Sequence, residues 1–381
     1  MAVLQLGKFY PIKGGVEKVM RDLVIGLNAN NIHCDMLCSM LPNDPIDAID
    51  VNRSKCHNGV LTIDENGGHI IVVKALAKIA GTMISPALIS YLRANKDKYE
   101  IIHIHHPDPM AALALRLSGY KGRVILHWHS DIVAQKVLYR LFLPIQKWLI
   151  NRASHIVGTT PVYLKQSSHL KGYNQKFVVI PIGIEKIVFD RDRVKETKQR
   201  FSGDKLILSV GRLVPYKGFE YLIEAAEYLP DNYHIVIGGD GPLLPMLTEM
   251  VRTRHLESRV TLLGYISDDV RSDLYGACDA FVLSSVSKNE AFGIVQIEAM
   301  SCGKPVIATT IPESGTSWVN KPGVSGLNIS PKDPEAIADA ILTICKDQLR
   351  YSLQAKTLFE DRYEISNMIK LIIKLYEKER L

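Results

Sequence analysis

The chain has 381 residues, more than one hydrophobic core usually supports, so two domains are expected. With 47% hydrophobic and 23% charged residues it has the composition of a soluble globular protein, and no apolar run reaches the ~18–20 residues that span a bilayer. The N-terminus lacks the basic region and cleavage site of a signal peptide, and the six cysteines form no Cys-x-x-Cys pair. These features predict a cytoplasmic protein with reduced thiols.

Positive charge is concentrated in the first half of the chain. Residues 1–185 carry 21 Lys and Arg against 13 Asp and Glu, whereas residues 186–381 carry 25 against 27. A basic half favours an anionic partner. No motif that combines basic and aromatic residues for nucleic-acid binding is visible, so an acidic membrane surface is the favoured partner and nucleic acid is not.

Short apolar runs alternate with amphipathic segments of helical length along the whole chain. This alternation predicts βαβ units and therefore an α/β protein with parallel, doubly wound sheets. Helices are predicted over segments such as Gly15–Leu27, Phe219–Tyr228 and Phe292–Met300. The predicted strands are, in chain order, Val3–Leu6, His69–Val73, Ile101–His105, Val124–His129, His155–Thr159, Phe177–Pro181, Leu206–Val210, His234–Gly238, Val260–Leu263, Ala280–Ser284 and Pro305–Thr309.

The predicted domains are 1–183 and 184–362, followed by a helix over 363–381 that packs back on the first domain. The boundary lies where a charged stretch, Glu185–Ser202, shows no strand pattern and predicts a linker followed by a solvated helix. Two doubly wound domains that face each other form a cleft, and ligands of such sheets bind outside the carboxyl ends of the strands.

Two loops after predicted strands carry binding chemistry. Arg212 and Lys217 precede a helix that begins at Phe219, and two cations beside a helix N-terminus suit a diphosphate. Gly239 belongs to a Gly-Gly-Asp-Gly-Pro turn, where a ligand can approach the backbone closely. Each segment alone is also consistent with an ordinary solvated loop.

The segment EAFGIVQIE (residues 290–298) places a glutamate at each end of an apolar run. The helix is predicted to start near Phe292, so Glu290 lies just before it and Glu298 about two turns inside. A carboxylate accepts two hydrogen bonds and suits a vicinal diol such as a ribose. A solvated helix face is the alternative for either glutamate alone.

Six motifs in this order resemble the retaining family 4 glycosyltransferases of the GT-B fold, over nearly the full length of the chain. They are KGGVE (13–17), HWHSD (127–131), GRLVPYKG (211–218), GDGP (239–242), LGYIS (263–267) and the glutamate pair around Phe-Gly. Where that family usually has glycine after the first glutamate, this chain has Ala291, a small departure that should leave the site open.

The resemblance implies the roles of individual residues. Arg212 and Lys217 would bind the donor diphosphate, Glu298 the ribose, and Glu290 a hydroxyl of the transferred sugar. His129 would hydrogen-bond the sugar near the reacting carbon. The remaining donor contacts would come from Gly15, Gly239, Tyr265, Ala291 and the backbone amides of Phe292, Gly293 and Ile294.

Five histidines lie at two predicted strand ends: His103, His105, His106, His127 and His129. They are interpreted as a polar floor of the cleft rather than a metal site, because the resemblance implies a metal-independent enzyme without a cofactor. The Asp-x-Asp of Asp190 and Asp192 lies in the charged linker rather than after a strand, which argues against a metal-dependent transferase.

Residues 132–152 form a basic amphipathic pattern. Leu138, Leu141, Ile145 and Trp148 share one stripe, and Pro144 should kink or split the helix. A stripe of this kind lies in a membrane interface or packs on the sheet, and the sequence leaves both open.

The sequence therefore predicts a retaining hexosyltransferase for bacterial surface polysaccharide or lipopolysaccharide. Its donor would be a UDP- or GDP-sugar and its acceptor a glycan, lipid-linked at the cytoplasmic face of the inner membrane. Two alternatives stay open: a non-catalytic subunit that binds nucleotide sugar and regulates a partner, and another GT-B class such as an epimerase or a phosphorylase.

Overall fold

The computed structural model describes residues 1–132, 136–201 and 203–378. The chain divides into two compact units: unit 1 comprises Met1–Ile180 with Met368–Leu381, and unit 2 comprises Pro181–Asn367. The sequence places this boundary three residues later, between 183 and 184. Within the described residues, no helix is both long and apolar enough to cross a membrane.

Unit 1 is built on a nine-stranded sheet in the order β11-β10-β9-β8-β1-β2-β5-β4-β3. All neighbours are parallel except the pairs that involve β4. Its strands are β1 Ala2–Phe9, β2 His33–Met40, β3 Ser54–His57, β4 Val60–Glu65, β5 Gly68–Lys74, β8 Ile101–His106, β9 Arg123–Trp128, β10 His155–Gly158 and β11 Phe177–Val179, and a separate hairpin pairs β6 Ala77–Ile79 with β7 Thr82–Ile84. Its helices are α1 Gly15–Ala29, α2 Ala48–Val51, α3 Pro86–Asn95, α4 Pro109–Ser118, α5 Lys136–Arg152 and α6 Pro161–Gln166.

The residues at the two ends of α4 explain where this helix begins and ends after β8. All six residues of β8 are buried, as expected for a strand covered on both faces. Asp108 caps the helix by accepting a hydrogen bond from the backbone N–H of Ala111 at 3.0 Å, and Pro109 fills the first helical turn. Gly119 ends the helix in the left-handed conformation at φ 70°.

Unit 2 holds a six-stranded parallel sheet in the order β14-β13-β12-β15-β16-β17. Its strands are β12 Lys205–Val210, β13 Tyr233–Gly238, β14 Val260–Leu262, β15 Ala280–Leu283, β16 Val306–Thr309 and β17 Gly326–Ile329. Its helices are α7 Arg191–Gln199, α8 Phe219–Ala225, α9 Leu244–Thr253, α10 Asp268–Ala277, α11 Ile294–Ser301, α12 Thr316–Val319, α13 Pro334–Lys346 and α14 Gln348–Arg362. A core that includes Ile207, Ile235 and Val282 joins the sheet to its helices.

The last helix, α15 Ile365–Glu377, starts in unit 2 and packs on unit 1. Tyr376 is fully buried, and its hydroxyl lies 2.7 Å from Nδ1 of His103 and 3.2 Å from Nε2 of Gln5. Arg123 on β9 donates to the carbonyls of Leu375 and Tyr376. A Cβ at Gly26 would lie 2.5 Å from Ile369, so glycine there lets α15 approach α1. The helix was predicted over 363–381, of which 379–381 lie outside the described residues.

Helix α5 is not split at Pro144, and its described buried side chains are not those of the predicted stripe. It continues as one helix through Pro144, which lies on the exposed side, where a lost backbone hydrogen bond costs least. The buried side chains are Phe142, Gln146, Leu149 and Ile150, whereas Leu141 is 73% exposed. The predicted stripe is therefore not the face that packs on the sheet; the side chain of Leu138 and residues 133–135 lie outside the described part.

Candidate functional site

The sheet of unit 2 has a topological switch point between β12 and β15. The chain runs from β12 outward to β13 and β14, then returns to place β15 on the other side of β12. In open parallel sheets, ligands bind at such a point, outside the carboxyl ends of the strands. The loops that follow β12 and β15 carry Arg212, Lys217 and Glu290.

Lys217 lies at the end of a short 3-10 turn, Pro215–Lys217, after β12. The next residue, Gly218, has φ 65°, and a Cβ there would lie 2.4 Å from the carbonyl oxygen of Ser284, at the end of β15. Only glycine allows this close approach. The hydroxyl of Ser284 donates to the carbonyl of Lys217 at 3.0 Å, which fixes the loop against β15.

Lys217 and Glu290 form a buried ion pair. Nζ of Lys217 lies 2.6 Å from Oε2 of Glu290, and the two side chains are 10% and 11% exposed. Ser285 donates to the same carboxylate oxygen at 2.9 Å. Ser314 donates to the Glu290 carbonyl, so both ends of the glutamate are held. Buried carboxylates need such partners.

The backbone between Glu290 and α11 is shaped by Gly293. Its φ of 74° is left-handed, and a Cβ would lie 2.8 Å from both Leu283 and Gln296. The buried Gln296 donates to the carbonyl of Phe292 at 3.0 Å. The helix therefore begins at Ile294, two residues after the predicted start. The carbonyl of Ala291 accepts from Gly315 at 2.9 Å.

Glu298 lies inside α11 and is 8% exposed. Its Oε2 accepts a hydrogen bond from the hydroxyl of Tyr275 at 2.8 Å. Tyr275 is fully buried, and burial, reinforced by the nearby Glu298 carboxylate, raises the pKa of this phenol well above its usual value. Tyr275 is therefore a neutral donor that orients Glu298, which is not the solvated helix residue of the alternative interpretation.

Three further predicted residues lie at the same sheet edge. Gly239 follows β13 at φ 142°, and a Cβ there would lie 1.9 Å from the carbonyl of Gly211, so the loops after β12 and β13 touch through backbone. Tyr265 follows β14 and is 82% exposed. Arg212 is also exposed, and its guanidinium makes no hydrogen bond or ion pair with the residues that the structure describes.

Gly15 and His129 both belong to unit 1. Within the described residues, no contact joins them. Gly15 is the exposed first residue of α1. His129 follows β9 and is 7% exposed, with Nε2 2.9 Å from Nδ1 of His105.

His129 belongs to a column of stacked imidazoles. The rings of His103, His105, His127 and His129 stack with neighbouring centroids 4.0–5.3 Å apart. Burial lowers the pKa of His127 to about 3 and holds the pKa values of the other three well below the usual range, with repulsion from neighbouring histidines adding to the effect. The column is neutral at pH 7.

Three of these histidines, His103, His105 and His127, bring ring nitrogens within 4.8 Å of one another. Both nitrogens of His105 already have partners, Nε2 at 2.9 Å from Oε1 of Gln5 and Nδ1 at His129. Nε2 of His103 and both ring nitrogens of His127, by contrast, have no hydrogen-bond partner among the described residues.

Sequence reasoning did not identify Ser285 and Tyr275, which hold the two glutamates. Ser285 is the second residue after β15, and that position could have drawn attention to it. Tyr275 lies on the preceding helix, 23 residues from Glu298. No local pattern links the two positions.

Family comparisons cover both units. Residues 13–186 match the family described as Glycosyltransferase Family 4, and residues 190–358 match Glycosyl transferases group 1. The O-antigen chain mannosyltransferase C of Escherichia coli is 31% identical over 99% of this chain and 98% of its own length. The D-rhamnosyltransferase WbpZ of Pseudomonas aeruginosa is 30% identical over 74% of this chain and 76% of its own.

Solved structures extend the likeness to the whole fold. Anabaena HepE in complex with UDP superposes with a TM-score of 0.80 and 19% identity, covering 99% of this chain and 100% of that one. Sucrose-phosphate synthase from Thermosynechococcus elongatus gives 0.74 and 22%, covering 99% of each chain. Both likenesses bear on the fold alone. Sequence and fold together establish that this chain is a glycosyltransferase of family 4, with the two Rossmann-like halves of the GT-B fold, related to enzymes that build bacterial O-antigen.

Proposed function

We propose that the protein transfers a hexose from a UDP- or GDP-sugar to a lipid-linked glycan acceptor, with retention of the anomeric configuration and without a metal ion. The observation that carries this proposal is the Lys217–Glu290 ion pair at the switch point of unit 2. Glu298 lies eight residues further along the chain, on α11. The names of the relatives, a mannosyltransferase and a D-rhamnosyltransferase, support a hexose-type substrate in surface-polysaccharide assembly.

The donor diphosphate is assigned to Arg212, Lys217 and the backbone amides of Phe292, Gly293 and Ile294. Arg212 is exposed and has no partner among the described residues, so its charge is available to a ligand. Lys217 shares its charge with Glu290 and gains a second anion when the diphosphate binds. The amides at the start of α11 add hydrogen bonds and a favourable helix dipole.

The two glutamates are assigned to the sugars at either end of the diphosphate. Glu290 accepts hydrogen bonds from the transferred hexose, close to Ala291, and Glu298 accepts them from the ribose. Gly239 leaves room for the backbone to approach the donor, and Tyr265 lies near the base. For Gly15 and His129 of unit 1, the donor contacts that the resemblance implies stay predictions.

Catalysis in this proposal is mainly positioning and charge stabilisation. The bond from the anomeric carbon to the diphosphate breaks, and Arg212 and Lys217 stabilise the charge that develops on the departing phosphate. The acceptor oxygen bonds to the same face of the sugar, and its proton passes to the leaving phosphate oxygen. The two cations, Arg212 and Lys217, supply the charge that a divalent ion supplies elsewhere.

The contacts of the Asp-x-Asp motif support a transfer reaction without a metal ion. Asp190 accepts the backbone N–H groups of Asp192 and Arg193 at 2.8 and 3.0 Å, and so caps α7. This helix-capping role accounts for the motif without a metal ion.

Peripheral contact with the inner membrane is also proposed, through the outer face of α5. Arg140 and Lys147 are exposed there, Leu141 is 73% exposed, and the helix contains no acidic residue. Such a face is attracted to anionic lipid. Co-sedimentation with phosphatidylglycerol vesicles at low salt should recover the wild type and leave the double variant R140E/K147E in solution. Failure of the wild type to bind would refute the membrane contact.

The central test is a thermal-shift screen of UDP- and GDP-hexoses, starting with GDP-mannose and UDP-glucose. Binding to the native state raises the melting temperature. At least one donor should do so at millimolar concentration, and its slow hydrolysis without acceptor should persist in EDTA. No stabilisation by any donor would refute the proposal, and stabilisation without hydrolysis or transfer would favour a regulatory subunit.

A further inference from the structure

An apolar groove of about 480 Å³ lies in unit 1, beside the carboxyl edge of its sheet. It is enclosed by the β6–β7 hairpin, the loop from β8 into α4, and the first half of α5. Pro107 follows β8 and Ile132 follows β9, so the groove opens where parallel strands end and ligands bind. None of the residues assigned to the donor lines the groove, although Ile132 shares the loop after β9 with His129.

The lining of the groove is uncharged in the part of the chain that the structure describes. Met110 and Leu113 of α4 line it together with Phe142 and Ile145 of α5. Tyr139 also lines the groove, but its hydroxyl is 2.8 Å from Nδ1 of His169 and so already has a partner. A polar occupant would find few groups to bind, whereas a hydrocarbon would be sheltered from water.

The rim of the groove exposes apolar side chains to water. Ile79 at the tip of the hairpin is 54% exposed, and Leu141 on α5 is 73% exposed. Both line the groove. Exposed large aliphatic residues on both sides of an apolar opening indicate an interaction site.

Cations adjoin this rim. Lys78 precedes Ile79 on the hairpin and is exposed, and Arg140 and Lys147 are exposed on the outer face of α5. Arg140 and Lys147 form no ion pair with the residues that the structure describes, and α5 contains no Asp or Glu. An apolar groove with unpaired cations beside it is complementary to an amphiphile that carries a long hydrocarbon chain and an anionic head.

We propose that this groove holds the hydrocarbon chain of the acceptor's lipid carrier next to its phosphate, so that unit 1 selects lipid-linked over free acceptors. The inference rests on the proposed function, because that function supplies the lipid-linked acceptor. It adds a binding site for the part of the acceptor that is not sugar.

The test is calorimetric titration of the full-length protein with hexyl, octyl and decyl phosphate, each below its critical micelle concentration. Burial of the chain should tighten binding about tenfold for each two added methylenes. Decyl phosphate should bind at least fivefold more tightly than decyltrimethylammonium. Affinity that does not depend on chain length, or preference for the cationic head, would overturn the proposal.

The matched variants are I79Q/L141Q and L117Q. Ile79 and Leu141 are exposed, so replacing them should not unfold the protein, and Leu117 is 45% exposed on α4 outside the groove. The double variant should bind decyl phosphate at least tenfold more weakly, and L117Q should bind it as the wild type does. Equal binding by all three proteins would place the chain elsewhere and overturn the proposal.

Two further readouts separate this inference from others. Vesicles of phosphatidylglycerol should still bind I79Q/L141Q to at least half the wild-type extent. If the double variant lost vesicle binding as strongly as it loses decyl phosphate binding, the groove would be a membrane-insertion surface instead. Donor-induced thermal shifts should be unchanged in the double variant. If nucleotide sugars stabilise the protein but alkyl phosphates show no chain dependence, this inference fails and the proposed function stands.

Discussion

Lys217 and Glu290 neutralise each other at 2.6 Å before any donor arrives. A buried pair of this kind gains little net stability, because both charges lose water, but removing one partner leaves the other uncompensated. In the proposed reaction, the donor diphosphate shares Lys217 with Glu290, and the charge of Lys217 matters most as the nucleotide leaves. Changes at this pair should therefore appear in turnover more than in binding.

The variant K217A should lower kcat by at least about 100-fold, the usual cost of removing one fixed charge donor from a transition state. Donor affinity, measured by calorimetric titration, should fall less than about tenfold. K195A, at a lysine whose side chain is 74% exposed, is the control and should keep full activity. A loss confined to donor affinity with unchanged kcat would contradict the role of Lys217.

Glu298 and Tyr275 should act as one unit in donor binding. E298A should raise the donor's dissociation constant about tenfold or more, since a hydrogen bond to a charged group contributes about 1.5–3 kcal/mol. Y275F should raise it less, because Glu298 remains but loses its orienting donor. The double variant should be no worse than E298A alone.

Calorimetric titration with a bound UDP- or GDP-sugar measures all three variants. Y228F, at a tyrosine that is 54% exposed, is the control. Unchanged affinity in E298A would remove the ribose assignment, and additive losses in the double variant would show that Tyr275 acts independently.

At this scale the sequence singled out four charged residues but not the side chains that support them. Arg212 and Lys217 stood out because they lie on a loop between a strand and a helix, and Glu290 and Glu298 because they flank an apolar run. Ser285 and Tyr275 could not be assigned, because their contacts depend on how α10, α11 and β15 pack. Those distances are set by the tertiary fold.

At the scale of elements, the hydroxyl of Tyr376 ties α15 to the sheet of unit 1. Y376F should lower the free energy of unfolding by about 1–3 kcal/mol, because it leaves the amide of Gln5 and Nδ1 of His103 short of a buried partner. Urea denaturation measures the change, with Y228F as the exposed control. If Y376F and Y228F lowered the free energy of unfolding equally, the contact between α15 and the sheet would be purely apolar.

Strand prediction found most of the apolar runs and missed several strands that contain polar residues, β2, β3 and β4 among them. Strand β2, HCDMLCSM, contains a histidine and an aspartate and was not predicted. Asp35 is nevertheless buried there, because the hydroxyl of Tyr99 and the backbone N–H of His69 donate to it at 2.8 Å each. These partners come from residues far along the chain, so the sequence pattern does not show that they compensate the charge. The short hairpin strands β6 and β7 gave too little pattern to detect.

For the whole molecule, the α/β class and the GT-B fold were predicted correctly, because alternating elements and six ordered motifs extend over the full length. The histidines were interpreted as a polar floor. The structure shows instead a fully buried, neutral column in the middle of unit 1. A sequence shows that histidines alternate on a strand, but not whether water reaches them.

This column and the neighbouring His106 should make unit 1 sensitive to acid. The folded state keeps His103, His105, His106, His127 and His129 neutral, since burial lowers their pKa values, whereas the unfolded chain protonates them near pH 6.5. The unfolded state then binds more protons below about pH 6.5. The free energy of unfolding should therefore fall by about 1.4 kcal/mol per pH unit for each histidine as the pH decreases, and stay level above about pH 7.5.

Urea unfolding between pH 8 and 5.5 measures this slope. In a W318F background the two remaining tryptophans, Trp128 and Trp148, both lie in unit 1 and report on it alone. H127Q should reduce the slope by the contribution of one histidine, about 1.4 kcal/mol per pH unit. H57Q, at an exposed histidine on β3, should leave the slope unchanged. A level free energy across this range would show that the column accepts protons while folded.

The return of α15 to unit 1 has a consequence for biosynthesis. Unit 2 leaves the ribosome before residues 368–377 do, yet Tyr376 among those residues covers Gln5 and His103, which were translated much earlier. The first unit to be translated is thus the last to be completed. Until then its sheet exposes an apolar face and unpaired polar groups, which nascent-chain chaperones would recognise.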